Sequence, residues 1–412
     1  MNNITRRDFI QKSALYSALG VVAPQFLTHT AEAAVQQISG FDNDRVLVVV
    51  QLGGGNDGLN TVVPYGDDAY HRARPNIGLK QDDLLKINDY VALNGQLSGM
   101  KSLYDDGLLG IVQGIGYPNP DRSHFRSMEI WHTASDSDKF SSQGWIGKYF
   151  DHECGGAARP QVGLAIGKEQ PQAFTSTKGY GVSLEDPRKF GWQPGKGVDS
   201  QANFSKINEG GSPDSDSNID FLRHVTSNAI MSSDEVKEAS DKAGDGMPQQ
   251  RGGRQPLAKT LGGLASLIKH ELATRIYYVS ISGFDTHANQ LGAHANLMTQ
   301  VSQGLAEFQA QLKKDGTSKR VMTMIFSEFG RRVQENQSGG TDHGTAAPMF
   351  LMGDHVNPGL HGKYPSLTDL DQGDLKFNTD FRSVYAGLLN DWFRVDSTSI
   401  LGSNVKPLDI IA

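Results

Sequence analysis

Val46-Leu47-Val48-Val49-Val50-Gln51-Leu52 runs directly into Gly53-Gly54-Gly55-Asn56-Asp57-Gly58. A near-continuous apolar run, rich in β-branched side chains, suits a strand covered on both faces. Four further runs share this character: Leu108–Val112, Ile276–Ile281, Val321–Phe326 and Pro348–Met352, each stopping at a small or polar residue. Between them lie apolar stripes of helical period over Leu257–Leu272, Leu297–Leu312 and Asp380–Phe393. Strands alternating with such helices predict an α/β fold with a mostly parallel central sheet.

Composition narrows the function classes. The 412 residues carry 39 Lys+Arg against 46 Asp+Glu, a net charge of -7, which argues against nucleic acid as a partner. A single cysteine, Cys154, excludes an internal disulfide framework and any multi-cysteine zinc or iron–sulfur site. Hydrophobic residues at 37% leave enough apolar side chain for a sizeable core.

The N-terminus reads as an address. Arg6-Arg7-Asp8-Phe9 is followed by an apolar stretch from Ala14 to Leu27 and by Ala31-Glu32-Ala33. That order matches a signal peptide with an A-x-A cleavage site, and the paired arginines resemble a twin-arginine export signal. The apolar stretch is interrupted by Ser17, Gly20 and Pro24, and no later segment is long enough to span a bilayer. The expectation is a periplasmic or otherwise exported protein that leaves through the twin-arginine machinery, its mature chain not spanning the membrane. Residues 35–412 then form one domain, interrupted by a polar insertion at about 193–256 with a helix around Ser232–Ala243.

The chemistry-bearing residues gather where strands stop. Asn56-Asp57 follows the first strand, Asp285 and His287 the third, and Glu328 the fourth; Asp342-His343 precedes the fifth and His361 follows it. Ligand sites in open α/β sheets gather beyond the carboxyl ends of strands, so these loops are expected to converge. Carboxylate and imidazole together suit zinc, manganese and related divalent ions. In Arg122-Ser123-His124-Phe125, hydroxyl, guanidinium and imidazole offer a nucleophile, an anion clamp and a proton carrier, while Ser123 also reads as a helix N-cap. Gly53-x-Gly55-x-x-Gly58 matches a dinucleotide fingerprint only literally, because Val62-Val63-Pro64 follows where a helix is needed. An arginine of Glu328-Phe329-Gly330-Arg331-Arg332 would bind a substrate anion or pair with Glu328.

Taken together, the leader, the Gly53–Gly58 loop, Arg122-Ser123-His124-Phe125, Gly283-Phe284-Asp285-Thr286-His287 and Phe326-Ser327-Glu328-Phe329-Gly330-Arg331 resemble the domain-of-unknown-function 1501 family. That family is grouped with the alkaline phosphatase and sulfatase-like superfamily. The resemblance implies a three-layer α/β/α sandwich, one or two divalent ions (zinc, manganese or calcium), and an anionic ester or glycan as substrate. It implies Asp57, Asp285, His287, Asp342, His343 and His361 as metal ligands, and Ser123 as nucleophile, with Arg122 and His124 assisting. One intervening residue between Asp285 and His287, where the superfamily usually has three, leaves His294 as an alternative ligand. The activity implied is hydrolysis of phosphate or sulfate esters. The alternatives are a non-catalytic exported binding or assembly protein on the same scaffold and, less directly, an oxidoreductase.

Overall fold

A computed structural model describes residues 44–154, 160–167, 169–177, 180–185, 236–242, 256–270, 272–402 and 405–412. The expected leader lies outside these residues, as does most of the polar insertion, within which 236–242 is helical.

Among the described residues the main sheet has nine strands. They are β1 (Val46–Gly53), β2 (Leu109–Gly116), β3 (Gly163–Ile166), β4 (Val182–Leu184), β5 (Ile276–Ser282), β6 (Val321–Phe326), β7 (Ala347–Met352), β8 (Gly359–His361) and β9 (Thr379–Asp380). The spatial order is β8-β2-β7-β6-β1-β5-β3-β4, with β9 also beside β2. β1 lies centrally, parallel to β5 and β6, with Val49 opposite Tyr278 on one side and Met324 on the other. β7 alone runs against its neighbours, antiparallel to both β2 and β6. Its beginning therefore lies at the edge where the other strands end, and a motif preceding β7 joins motifs that follow β5 and β6.

Alternation along the strands divides the core between two helical layers. Val46, Val48, Val50 and Leu52 share one cluster with Leu261, Leu264, Val301 and Leu305. These come from α5 (Leu257–Lys269) and α6 (Gln290–Asp315), after α1 (Asp68–Ala73), α2 (Ser98–Asp105), α3 (His124–Thr133) and α4 (Trp145–Glu153). On the other face Trp131 of α3 stacks on Phe326 at 5.0 Å, and Trp145 of α4 stacks on Tyr385 of α7 (Phe381–Gly387) at 4.3 Å. The result is a central sheet flanked by helices on both faces. The stripe expected to form one helix over Asp380–Phe393 is α7 followed by a wider π turn over Leu388–Phe393. No helix of the described residues is long and apolar enough to cross a membrane.

Two histidines are buried within this frame. His132 faces Tyr278 Oη at 2.9 Å, and His294 faces Asn56 Oδ1 at 3.0 Å. Burial pushes both imidazoles down to about 4, against about 6.5 in an open chain. The unfolded state therefore binds more protons between those values, so stability falls as pH drops from about 6.5 towards 4. Each histidine is expected to contribute roughly 3 kcal/mol to that loss. Urea midpoints across this range check it: His132→Gln should flatten the slope, and an unchanged slope would reject the assignment.

Candidate metal centre

Four connections at one edge of the sheet build the site. β5 ends in Ser282, and Gly283-Phe284 carry the chain to Asp285 with Phe284 buried beneath. β6 ends in Phe326 and delivers Ser327, Glu328 and Phe329. His343 arrives just before β7, held by a bridge to Arg331. The loop after β2 turns into α3 at Ser123, so that His124 is the first residue of the helix.

Asp285 Oδ1 is the meeting point. His343 Nε2 lies 3.2 Å from it, His287 Nε2 3.0 Å and His124 Nε2 3.6 Å. The ligand atoms of His124, Asp285 and His343 all lie within 4.8 Å of one another. Metal–ligand bonds of about 2.0–2.2 Å place two ligands of one ion about 3–4.4 Å apart, so the cluster can coordinate a divalent metal.

The outer partners fix the tautomers. His343 Nδ1 is 2.8 Å from the carbonyl oxygen of Arg122, which can only accept, so Nδ1 carries the hydrogen and Nε2 keeps its lone pair. His124 Nδ1 is 2.8 Å from Glu328 Oε1, and His124 Nε2 is shielded with no hydrogen-bond partner. His287 Nδ1 faces Asp342 Oδ1 at 3.3 Å. Backing a ring with an acceptor on its far nitrogen orients it and raises its basicity as a ligand. The Glu328 hydrogen bond accordingly pushes the His124 imidazole up. Phe329 supports the pair from one side, with ring centroids 4.8 Å from both His124 and His343.

Glu328 and Arg331 hold these groups in place. Glu328, 1% exposed, also accepts from the backbone N–H of Gly54 at 2.9 Å, while Ser327 Oγ donates to its other oxygen at 3.1 Å. Arg331 is buried and its Nη2 lies 2.7 Å from Asp285 Oδ1. Burial pushes the Asp285 carboxyl up, but the hydrogen bond and charge of Arg331 outweigh it and bring it down to about 2. Gly54 and Gly55, at φ +120° and +72°, permit this closeness. A Cβ at Gly54 would meet Asp285 N at 2.4 Å, and one at Gly55 would meet the Phe329 ring at 2.2 Å.

The structure distributes the expected site residues unevenly. Asp285, His287 and His343 converge, and His124 joins them as a ring with a free lone pair rather than as a proton carrier set apart. Asp342 stands behind His287, held by Asn336 Nδ2 at 3.2 Å. Asp57 lies outside the cluster, fully buried and paired with Arg74 Nη1 at 2.6 Å. His361 also lies outside: β8 brings it level with Val112, midway along β2, where its Nε2 contacts Asn357 O at 2.7 Å. His294 is buried beside Asn56, away from Asp285. Ser123 is exposed at the helix start, its hydroxyl making no capping bond. Arg122 Nε pairs with the buried Asp374 at 3.1 Å. Arg331 pairs with Asp285, and Glu328 with His124, where sequence had offered the two to each other.

Residues 217–401 match the family described as "Protein of unknown function (DUF1501)", so the chain carries a DUF1501 domain; Asp285 and His343 fall inside the match, His124 before it. No curated protein matches the chain. Similar solved structures include a protein in the alkaline phosphatase superfamily from Vibrio parahaemolyticus, with 11% identity over 90% of this chain and 72% of that one, TM-score 0.39. Another is the phosphonate monoester hydrolase SpPMH from Silicibacter pomeroyi, with 8% identity over 88% and 76%, TM-score 0.39. A third is the C-terminal periplasmic domain of EcEptC from Escherichia coli, with 9% identity over 89% and 88%, TM-score 0.36. Likeness at this level assigns no activity to the chain.

Proposed function

We infer that the protein is a metal-dependent hydrolase of phosphate or sulfate esters. One observation carries this reading: His124 Nε2, Asp285 Oδ1 and His343 Nε2 converge, with both rings locked from behind so that their lone pairs face inward. A divalent ion held by these residues would supply Lewis-acid stabilisation of ester oxygens and ease deprotonation of a hydroxyl or water. The remaining roles belong to the chain. His287, oriented by Asp342, is a fourth donor and the third through nitrogen. Ser123, an exposed residue that precedes His124 in the chain, is the candidate nucleophile. Arg122, whose side chain is 37% exposed, is suited to clamp the anionic group. Hydrolysis consumes one water and breaks the phosphorus–oxygen or sulfur–oxygen bond, and the released alcohol takes up one of the water's protons.

Metal analysis of purified protein, combined with aryl phosphate and aryl sulfate assays under added zinc, manganese and calcium, tests the reading. Wild type should bind metal stoichiometrically. His343→Ala should lose the metal and at least about a hundredfold in rate, whereas Ser123→Ala should keep the metal and lose the rate. Protein that binds none of these metals and hydrolyses neither ester would reject it, leaving a non-catalytic binding protein. We further propose that this activity is exported, to the periplasm or beyond, on the reading of Arg6-Arg7 as a twin-arginine signal. Replacing Arg6 and Arg7 by lysine should leave the protein in the cytoplasmic fraction.

A further inference from the structure

Beside the cluster lies a cavity of about 520 Å³ whose wall includes Arg122, Glu328 and Phe329. Its volume falls in the range of small-molecule sites, about 300–1,000 Å³. Tyr117, Phe329 and Phe377 make much of the lining aromatic. Most of its charges come from two segments far apart in the chain. The loop after β2 brings Asp121 and Arg122, and a small hairpin of Leu370–Asp371 and Asp374–Leu375 brings two more aspartates. With Glu328 and Lys376 added, four carboxylates face two cations. Both cations are already engaged, Arg122 Nε with Asp374 Oδ2 at 3.1 Å and Lys376 with Asp369. Asp121 accepts from the backbone N–H of Ser123 at 2.7 Å, but neither it nor Asp371 forms an ion pair among the described residues. Asp374 is 2% exposed, and its Oδ1 has no hydrogen-bond partner, Arg332 Nε standing 3.5 Å away. Burial pushes the Asp374 carboxyl up and the charge of Asp371 adds to this, against the pull of Arg122 and Arg332. Trp131, also in the wall, has a shielded Nε1 without a partner. Buried polar atoms left open are costly unless a ligand or water meets them. A second anion would meet the surplus of carboxylates, and a plain alkyl group would leave Asp374 Oδ1 unanswered. Aromatic rings attract ammonium groups, and a partly enclosed cavity strengthens their attraction to carboxylates.

We propose that this cavity binds the alcohol half of the ester, that this half is an amino alcohol, and that Asp374 Oδ1 accepts from its ammonium group while Asp121 and Asp371 keep the cavity negative. The two oxygens of Asp374 then serve the two ends of a zwitterionic substrate. Oδ2 holds Arg122 for the anionic group, and Oδ1 receives the cation. The inference rests on reading the cluster as an ester hydrolase, and it specifies the substrate class. When the phosphorus–oxygen or sulfur–oxygen bond breaks, water supplies the new oxygen on the anion and a proton to the alcohol, and the ammonium group keeps its charge throughout.

The test compares 2-aminoethyl phosphate and 2-aminoethyl sulfate with propyl phosphate and propyl sulfate, which match them in size without the positive charge. Wild type should favour the amino esters by about tenfold in kcat/KM, and the ratio should shrink as sodium chloride screens the carboxylates. In the Asp121→Asn, Asp371→Asn double variant the ratio should fall by at least about threefold. Asparagine keeps an oxygen for the Ser123 N–H and Asp371 is exposed, so folding is preserved. A wild-type ratio near one, or a ratio that the double variant leaves unmoved, would overturn the proposal. 2-(Trimethylammonio)ethyl phosphate keeps the charge but offers Asp374 Oδ1 no N–H, so it should react more slowly than the aminoethyl ester; an equal or higher rate overturns the role of Asp374. Should no ester be hydrolysed, the reading of the cluster fails separately, and calorimetric binding of 2-aminoethyl phosphonate against propyl phosphonate decides the cavity. Tighter binding of the amino compound that weakens in the double variant supports the proposal. Equal binding, binding of neither, or a preference that survives the double variant overturns it.

Discussion

Replacing Arg331 by methionine is expected to cost about 4–6 kcal/mol of folding stability and to scatter the metal cluster. The guanidinium is wholly buried, and each of its nitrogens is engaged. Nε donates to Gly55 O at 2.7 Å and Nη1 to Thr341 O at 2.8 Å. Nη2 donates to Gly54 O, to Phe284 O at 3.0 Å and to Asp285 Oδ1 at 2.7 Å. One side chain thus ties the loops after β1 and β5 to the loop before β7. Methionine fills the volume but leaves four carbonyls with one fewer donor each, at about 1–3 kcal/mol for any left dry. The Asp285 contribution is smaller, because that carboxylate is half exposed and water can replace the arginine. Arg331→Lys keeps the charge but offers a point donor in place of a planar fork, so it should lie between wild type and methionine. Urea unfolding of both variants, with metal titration of the folded fraction, measures the effect. A methionine variant within about 1 kcal/mol of wild type would show that the carbonyls find water.

How much of this was legible in the chain depends on where each interaction lives. Val46–Leu52 and Val321–Phe326 announce themselves because both faces of a central strand must be apolar. Gly163–Ile166 and Val182–Leu184 carry no such signal, being short and towards the edge of the sheet. The reversed direction of β7 is a property of pairing rather than of its residues. The gathering of Asp285, His287 and His343 was readable as polar groups beside strand ends. The role of His124 was not, since it depends on Glu328, more than two hundred positions away. The expected pairing of Glu328 with an arginine fails for a local reason. Glu328 Oε1 is aimed at Gly54 N and His124, while Arg331 turns to the carbonyls that the glycine loop leaves open. Asp57 shows the complementary limit: an aspartate after the first strand invites a metal, and only the fold reveals the arginine already there.

That arginine supplies the second large effect. Breaking the pair by Arg74→Met or Asp57→Asn is expected to cost about 3–5 kcal/mol, without changing the metal bound per folded molecule. Neither side chain is exposed. Burial pushes the Asp57 carboxyl up, but Arg74's charge and hydrogen bond outweigh it and hold it below the usual range. Gln290 Nε2 donates to the same carboxylate, and Asn60 N approaches its other oxygen at 3.4 Å. Arg74 in turn reaches Val333 O at 2.9 Å and Arg332 O at 2.8 Å. Removing one partner therefore strands the other charge where water cannot reach it, whereas the double variant Asp57→Leu, Arg74→Met removes both charges and should recover part of the loss. Chemical denaturation of the three variants gives the coupling, and metal analysis of their folded fractions separates a structural aspartate from a ligand. Asp57→Asn that unfolds like wild type yet has lost its metal would return Asp57 to the metal centre and require the loop from Gly53 to Gly58 to open towards Asp285.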